Sequence, residues 1–311
     1  MNELITILGP TASGKTGLAA ALAANIGAEI ISADSRQVYR GMDIGTGKDL
    51  EDYVVGGKQI PYHLIDIADP GEEYNVYRFQ EDFISAFSDI SGRGKRAVLC
   101  GGTGLYLESV LLAYDLKEAP VNRELRDELA AKTTEDLIKR LGSGRELHNI
   151  TDTSDRERLI RAIEISEAPS ASLGTGSKQK SEADNSLMQL NHHVFGISMP
   201  RAEIRNRITI RLKQRLEEGM LEEIRTLLDQ GVTAKQLEFY GLEYKFLTQH
   251  VIGEINYNDM FQRLNTAIHQ FSKRQMTWFR RMEKRSVNIN WIDGSKSVSE
   301  KLEAMEKVLK C

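Results

Sequence analysis

Short apolar runs recur along the chain and are separated by longer segments of mixed polarity. Residues 3–8 (ELITIL), 28–33 (AEIISA), 95–101 (KRAVLCG) and 193–199 (HVFGISM) read as buried strands. Residues 63–67 (HLIDI) and 287–292 (VNINWI) read as two more. Helical periodicity fills an Ala/Leu-rich stretch up to about Asn25, residues 78–90, and two long amphipathic stretches at about 201–230 and 257–285. Strands that alternate with helices predict an α/β fold, a parallel sheet covered on both faces. From Asp115 to about Ser170 the pattern is helical and charged, with no strong strand. Residues 170–186 (SASLGTGSKQKSEADNS) then read as a polar, Gly/Ser-rich linker. The expected organisation is a core of residues 1–114 and 192–311, with a small helical insertion at 115–191. No internal repeat is visible.

Composition narrows the class without deciding it. The 311 residues are 41% hydrophobic and 28% charged, an ordinary globular balance. Net charge is −4, yet residues 200–285 hold 16 Lys and Arg against 11 Asp and Glu. A basic region on an acidic chain suits a polyanion docked on one face; solvated helix faces account for it equally well. The two cysteines, Cys100 and Cys311, have no metal or disulfide spacing and fit a reducing compartment. No window approaches about 18 continuous apolar residues, and the first residues lack a basic leader. A cytoplasmic protein without a membrane span is expected.

The most specific local signal is Gly9-Pro10-Thr11-Ala12-Ser13-Gly14-Lys15-Thr16. It matches G-x-x-x-x-G-K-[ST] and lies between a predicted strand and a predicted helix, which makes it a P-loop. Backbone N–H groups at such a turn converge on phosphate oxygens, Lys15 adds a positive charge, and the Thr16 hydroxyl can ligate Mg²⁺ between two phosphates. The motif does not say which diphosphate it holds. A nucleoside or small-metabolite kinase also needs a metal-holding acid at a second strand end and an Arg-bearing lid. Only Asp66 is a tolerable candidate for the acid, and no compact lid is evident.

Two further strand-to-turn segments follow: Asp34-Ser35-Arg36-Gln37 after the second strand, and GGTGLY at 101–106. In doubly wound sheets the C-terminal strand ends form ligand sites. Thr103, taken alone, reads as a helix N-cap.

Together these pieces resemble the tRNA dimethylallyltransferases (tRNA isopentenyltransferases) of bacterial type. The resemblance rests on GPTASGKT (9–16), EIISADSRQVYRGMDIGT (29–46), HLIDI-DP (63–70), GGTGLYL (101–107), DRERLIRAIEI (155–165) and KRQMTWFR (273–280). These run in family order across nearly the whole chain. The resemblance implies a P-loop NTPase-like sheet with a helical insertion that contacts the anticodon stem-loop. The implied reaction moves dimethylallyl from dimethylallyl diphosphate to N6 of the adenosine 3′ of the anticodon, with Mg²⁺ as cofactor and no membrane partner. It also implies roles. Gly9 to Thr16 would bind diphosphate; Lys15, Thr16, Asp34 and Thr103 would be catalytic, with Asp34 the general base and Thr16 the metal ligand. Asp34, Ser35, Arg36, Gln37, Thr103, Arg126, Glu157, Arg158, Leu159, Ile160, Arg161, Lys273, Arg274, Gln275, Trp278 and Arg280 match tRNA-contacting positions. A monomer is expected.

The chain departs from the family pattern in places. Glu238 stands where members often carry an arginine that touches diphosphate. GTGKD (45–49) replaces the common GTAKP, and the helical segment near 142–155 is shortened.

The chemistry explains the residue types. The adenine N6 lone pair is delocalised into the ring, so a base must take its proton as the C–N bond forms. Charge on the departing diphosphate needs Lys15, the metal and N–H groups. The allylic cation character needs an apolar, dry pocket. An unstacked base suits aromatic and Arg side chains such as Trp278 and Arg280, although Trp278 and Phe279 read more readily as core anchors. Arg156, Arg158 and Arg161 suit phosphates or an ordinary solvated face. An adenylate isopentenyltransferase and a nucleotide-gated RNA-binding module stand as alternatives beside the kinase.

Overall fold

A computed structural model describes residues 3–116, 118–119, 121–142, 156–168 and 187–309. They fall into two compact units, one built from residues 1–114 and 185–311, the other from residues 115–184.

The larger unit starts with β1 (Glu3–Leu8), whose side chains alternate between two cores. Leu4 and Leu8 join one cluster, Ile5 and Ile7 the other. Both faces of the strand are buried, so its sequence is a continuous apolar run rather than an alternation. The P-loop leads into α1 (Lys15–Ile26), which ends at Gly27 in a left-handed C-cap. Next come β2 (Glu29–Ala33), a hairpin of β3 (Val54–Val55) and β4 (Lys58–Gln59), and β5 (Tyr62–His63). Helix α2 (Val76–Gly92), capped by Asn75, strand β6 (Ala97–Gly101) and helix α3 (Gly104–Leu111) follow.

The smaller unit holds α4 (Arg123–Ala130), α5 (Thr134–Gly142) and α6 (Arg156–Glu167) around Leu129, Leu137, Leu141, Leu159 and Ile163. The shortened segment expected near 142–155 lies, beyond Gly142, outside the described residues, as does the linker expected at 170–186.

The chain re-enters the sheet at β7 (Asn191–Ser198) and continues through α7 (Arg201–Glu217), α8 (Met220–Asp229), α9 (Ala234–Phe239), α10 (Leu242–Val251), α11 (Tyr257–Lys284), β8 (Ile289–Asp293) and α12 (Val298–Leu309). Six strands form one parallel sheet in the order β5-β2-β6-β1-β7-β8. This is the predicted α/β sheet flanked by helices. Among the described residues no helix is long and apolar enough to cross a membrane.

Two expectations fail for identifiable reasons. The strand expected at 63–67 stops at His63, because Leu64 and Asp66 take positive φ values of 63° and 55°. The Asp66 carboxylate is held by the buried Lys48 ammonium, so burial and an ion pair override an apolar run. The single helix expected over 201–230 breaks at Gly219, whose φ of 105° ends one helix and starts another.

Candidate active site

Register places three turns side by side. Leu8 pairs with Gly101, and Gly101 pairs with Ala33, so β1, β6 and β2 end at one level. The P-loop, the Gly102–Thr103 turn and the Asp34 turn therefore open from adjacent strand ends. Gly101 has to be glycine there, since a Cβ would collide with the Ala33 carbonyl.

The P-loop has the geometry its motif requires. Ala12 and Gly14 take positive φ values of 61° and 79°, the kind of turn that forms an anion-binding concavity, while the Thr11 and Ser13 N–H groups are bonded to Gln275 Oε1 and to the Pro10 carbonyl. A Cβ on Gly14 would meet nothing within 4 Å, so the rim of the cradle is open. Inside it, Ser13 is buried and its Oγ has no hydrogen-bond partner among the described residues. A Cβ on Gly9 would sit 2.7 Å from that Oγ, so the loop closes only around glycine. Lys15 and Thr16, on the first turn of α1, are part-buried. Burial holds the Lys15 ammonium below its ordinary pKa, while the Cys100 thiol and the Asp34 carboxylate act in the opposite direction.

Asp34 accepts the Arg36 N–H at 2.9 Å through Oδ1. Thr103 is not the side-chain N-cap expected of it. It sits at the start of α3 without a capping bond, and its Oγ1 accepts the Ser35 N–H at 3.0 Å. Thr103 thus ties the β6 turn to the residue next to Asp34. Gln37 is buried and turned inward: its Nε2 donates to the Gly47 carbonyl at 2.9 Å, and Ser32 Oγ donates to its Oε1 at 3.2 Å. Gln37 is therefore a brace of this loop. The loop is gripped again by Glu223, whose carboxylate accepts the N–H groups of Asp43, Ile44 and Gly45 at 2.8, 2.7 and 3.0 Å.

Motif reading missed a pair of cations. Arg211 and Arg215, one turn apart on α7, both pair with Asp49, Arg215 at 2.9 Å. They pack on Gly47, which has no room for a Cβ. Their charges act on Lys15, and with Thr11, Ala12 and Glu243 they line a pocket whose remaining wall is Ile208, Leu212, Met220 and Ile268. Burial lowers the Arg211 pKa and raises that of Glu243, the two arginines opposing the latter. The GTGKD departure belongs to this arrangement, because Gly47 seats the guanidinium groups and Asp49 holds them. The i,i+4 spacing on an amphipathic helix was the available signal, but it reads equally as a solvated stripe.

The residues matched to tRNA contacts separate into exposed and internal sets. Lys273, Arg274 and Arg280 are exposed on α11. Arg36 lies 5.7 Å from the ring centroid of Phe239, an aromatic side chain that is 67% exposed and was missed in the sequence. Trp278 is part-buried beneath Arg281, 4.8 Å from its guanidinium, and packs on Gly104. Phe279 is fully buried, as expected of a core anchor. Gln275 is also buried, both ends of its amide being bonded to backbone of the larger unit.

Within the smaller unit Glu157 and Arg158 are exposed, whereas Leu159 is fully buried and Ile160 packs beside it. Leu159 therefore has no surface to offer tRNA. Arg126 and Arg161 both pair with the buried Glu164, at 2.8 and 2.5 Å. Arg161 also donates to the Ala119 carbonyl at 2.7 Å. Arg156 donates to the carbonyls of Ala130 and Lys132 at 2.8 and 2.6 Å. In this structure these arginines hold the insertion together, because a buried carboxylate and helix-end carbonyls outcompete solvent for them.

Residues 37–282 match the family described as IPP transferase, and residues 2–64 match that described as isopentenyl transferase. "tRNA dimethylallyltransferase 2" of Bacteroides fragilis (strain ATCC 25285) is 55% identical over 308 residues, covering 99% of this chain and 98% of the relative. "tRNA dimethylallyltransferase 2" of Syntrophotalea carbinolica is 54% identical over 294 residues, covering 94% and 95%. Among solved structures, tRNA isopentenylpyrophosphate transferase from Bacillus halodurans superposes with a TM-score of 0.67 at 29% identity, covering all of both chains. The tRNA delta(2)-isopentenylpyrophosphate transferase from Staphylococcus epidermidis does so with 0.70 at 29%, covering 100% and 99%. A family match across residues 37–282, with more than half of all positions shared with full-length relatives, makes this chain a member of the IPP transferase family.

Proposed function

We propose that this protein transfers a dimethylallyl group from dimethylallyl diphosphate to N6 of the adenosine immediately 3′ of the anticodon in tRNA. One observation carries the reading. A phosphate cradle and a carboxylate open side by side from strand ends in register, next to a pocket walled on one side by apolar side chains. The relatives' names supply the substrate class.

The step balances within those residues. The N6 lone pair forms the new bond to C1 of the dimethylallyl group as the C1–O bond breaks. Diphosphate departs with the bonding electrons, and the N6 proton passes to Asp34. P-loop N–H groups, Lys15, Arg211 and Arg215 offset the charge that accumulates on the leaving oxygen. Ile208, Leu212, Met220 and Ile268 offer the prenyl group an apolar surface.

Mg²⁺ fits the donor chemistry in one form only. Among the described residues no group of three or more His, Cys, Asp or Glu side chains could cage it. Thr16 is the ligand the motif supplies, so the ion would take the rest of its shell from diphosphate and water, as Mg²⁺ commonly does. When bound it would supply further neutralisation of the leaving group.

The exposed Lys273, Arg274 and Arg280 offer phosphate contacts, and Arg36 over Phe239 offers a face for an unstacked base. A tRNA substrate fits a cytoplasmic protein. The kinase reading loses its metal-holding acid, since Asp66 is committed to Lys48.

Incubation with labelled dimethylallyl diphosphate and bulk tRNA, followed by nucleoside analysis, tests the proposal. Label must appear in N6-modified adenosine. Absence of label, with ATP rather than dimethylallyl diphosphate raising the melting temperature, would falsify it.

A further inference from the structure

Gln275 uses its amide at both ends. Its Oε1 accepts the Thr11 N–H at 2.8 Å, and its Nε2 donates to the Gly102 carbonyl at 2.8 Å. One partner is a donor and the other an acceptor, so the amide has a single productive orientation. A Cβ on Gly102 would run into Nε2, so glycine there makes room for this contact. The two partners belong to different halves of the site. Thr11 is part of the phosphate cradle. Gly102 precedes Thr103, whose hydroxyl holds the Ser35 N–H beside Asp34.

We propose that Gln275 is a positioning residue for group transfer, its amide setting the spacing between the diphosphate cradle and the carboxylate that takes the amine proton. This rests on the proposed reading of the P-loop and Asp34. It also separates Gln275 from its neighbours on α11. Lys273, Arg274 and Arg280 face solvent, whereas Gln275 is buried with its oxygen and nitrogen committed to the cradle and the adjacent turn. Reactions that join two bound groups are sensitive to such spacing, and a displacement of about 1 Å costs on the order of 10²-fold in rate.

The test uses Gln275→Ala and Gln275→Glu in the full chain, with melting curves alongside. Single-turnover rates are measured at saturating dimethylallyl diphosphate and tRNA, and affinities with inorganic diphosphate and with tRNA. Gln275→Ala should slow the single turnover by roughly 10²-fold. It should weaken inorganic diphosphate several-fold and leave tRNA affinity within about 2-fold of wild type, because neither lost bond faces the RNA.

Gln275→Glu carries the sharper readout. An ionised carboxylate still accepts from Thr11 but sets an oxygen against the Gly102 carbonyl. The protonated acid restores both bonds, and burial raises its pKa. The variant-to-wild-type rate ratio should therefore climb as pH falls from about 8.5 to about 6, while the Ala ratio stays flat. A lowered melting temperature with a wild-type rate per folded molecule would reduce Gln275 to a packing residue. Loss of tRNA affinity with an unchanged saturated rate would make it an RNA contact, and a flat Glu ratio would overturn the amide bridge. If wild type itself fails to prenylate tRNA, the functional reading falls instead, and inorganic diphosphate affinity in wild type and Gln275→Ala still decides the brace.

Discussion

The P-loop and the helical insertion were both matched from sequence to phosphates, the first mainly through backbone N–H groups and the second through cationic side chains, and the two differ in the structure. In the P-loop the backbone path is set by positive φ at Ala12 and Gly14, and the rim stays open. In the insertion Arg126 and Arg161 are turned onto Glu164, and Arg156 caps carbonyl groups. A motif that works through backbone geometry carries its own aim. A charged side chain takes whichever partner the fold brings within reach, and a buried carboxylate is a stronger competitor than water.

The comparison breaks first at Asp34. Asp34→Asn keeps the shape of the turn and removes the base. Single-turnover rate at saturating substrates should fall by roughly 10²–10⁴-fold, with both affinities and the melting temperature nearly unchanged. A wild-type rate would remove Asp34 from the chemistry. Collapsed diphosphate affinity, rescued by excess Mg²⁺, would make it a metal ligand instead.

Lys15→Ala should lower the rate by about 10²–10³-fold together with diphosphate affinity. Filter binding should show tRNA affinity preserved, because the exposed cations of α11 remain. Normal diphosphate affinity with lost tRNA affinity would contradict the assignment of the P-loop.

The insertion is tested through Glu164, whose carboxyl is drawn down to about 2: burial works against this, while Arg126, Arg161 and the Asn122 N–H prevail. A depressed carboxylate pKa stabilises the fold above the unfolded value of 4.5 and loses that contribution as pH falls toward 2. The smaller unit should therefore loosen across that window, read by amide exchange within α4 and α6. Glu164→Gln should cost it about 1–3 kcal/mol near neutral pH and abolish this acid dependence. Retained acid dependence in the variant would mean that another group controls the unit.

Arg280→Ala should have the smallest effect. If Arg280 meets a phosphate, the slope of log affinity against log salt should flatten by about one, with little change in rate at saturation. An unchanged slope takes Arg280 out of the interface.

The α/β architecture was legible because strands buried on both faces leave continuous apolar runs, as in residues 3–8 and 97–101. HLIDI shows the limit: the same apolar signal occurs in a turn when an ion pair to Lys48 and left-handed backbone at Leu64 and Asp66 decide the path. Of the candidate site, the cradle and the Asp34 turn were legible as spacing. Arg211, Arg215 and Glu243 were not, because α7 and α10 lie more than a hundred residues beyond the turns they meet.

By itself the sequence determined the strand-to-turn-to-helix units, the P-loop, the acidic turn after β2, and through the shared motifs the family. These depend on local periodicity, on glycine at positions of positive φ, and on residues close together in the chain. Tertiary structure alone decided which side chains face a ligand. Gln275 and Gln37 turned out to be braces, Arg126 and Arg161 partners of Glu164, and Arg211 and Arg215 members of the pocket beside the P-loop. The physical reason is that a polar side chain leaving water must find partners, and those partners come from chain segments whose proximity no local pattern encodes.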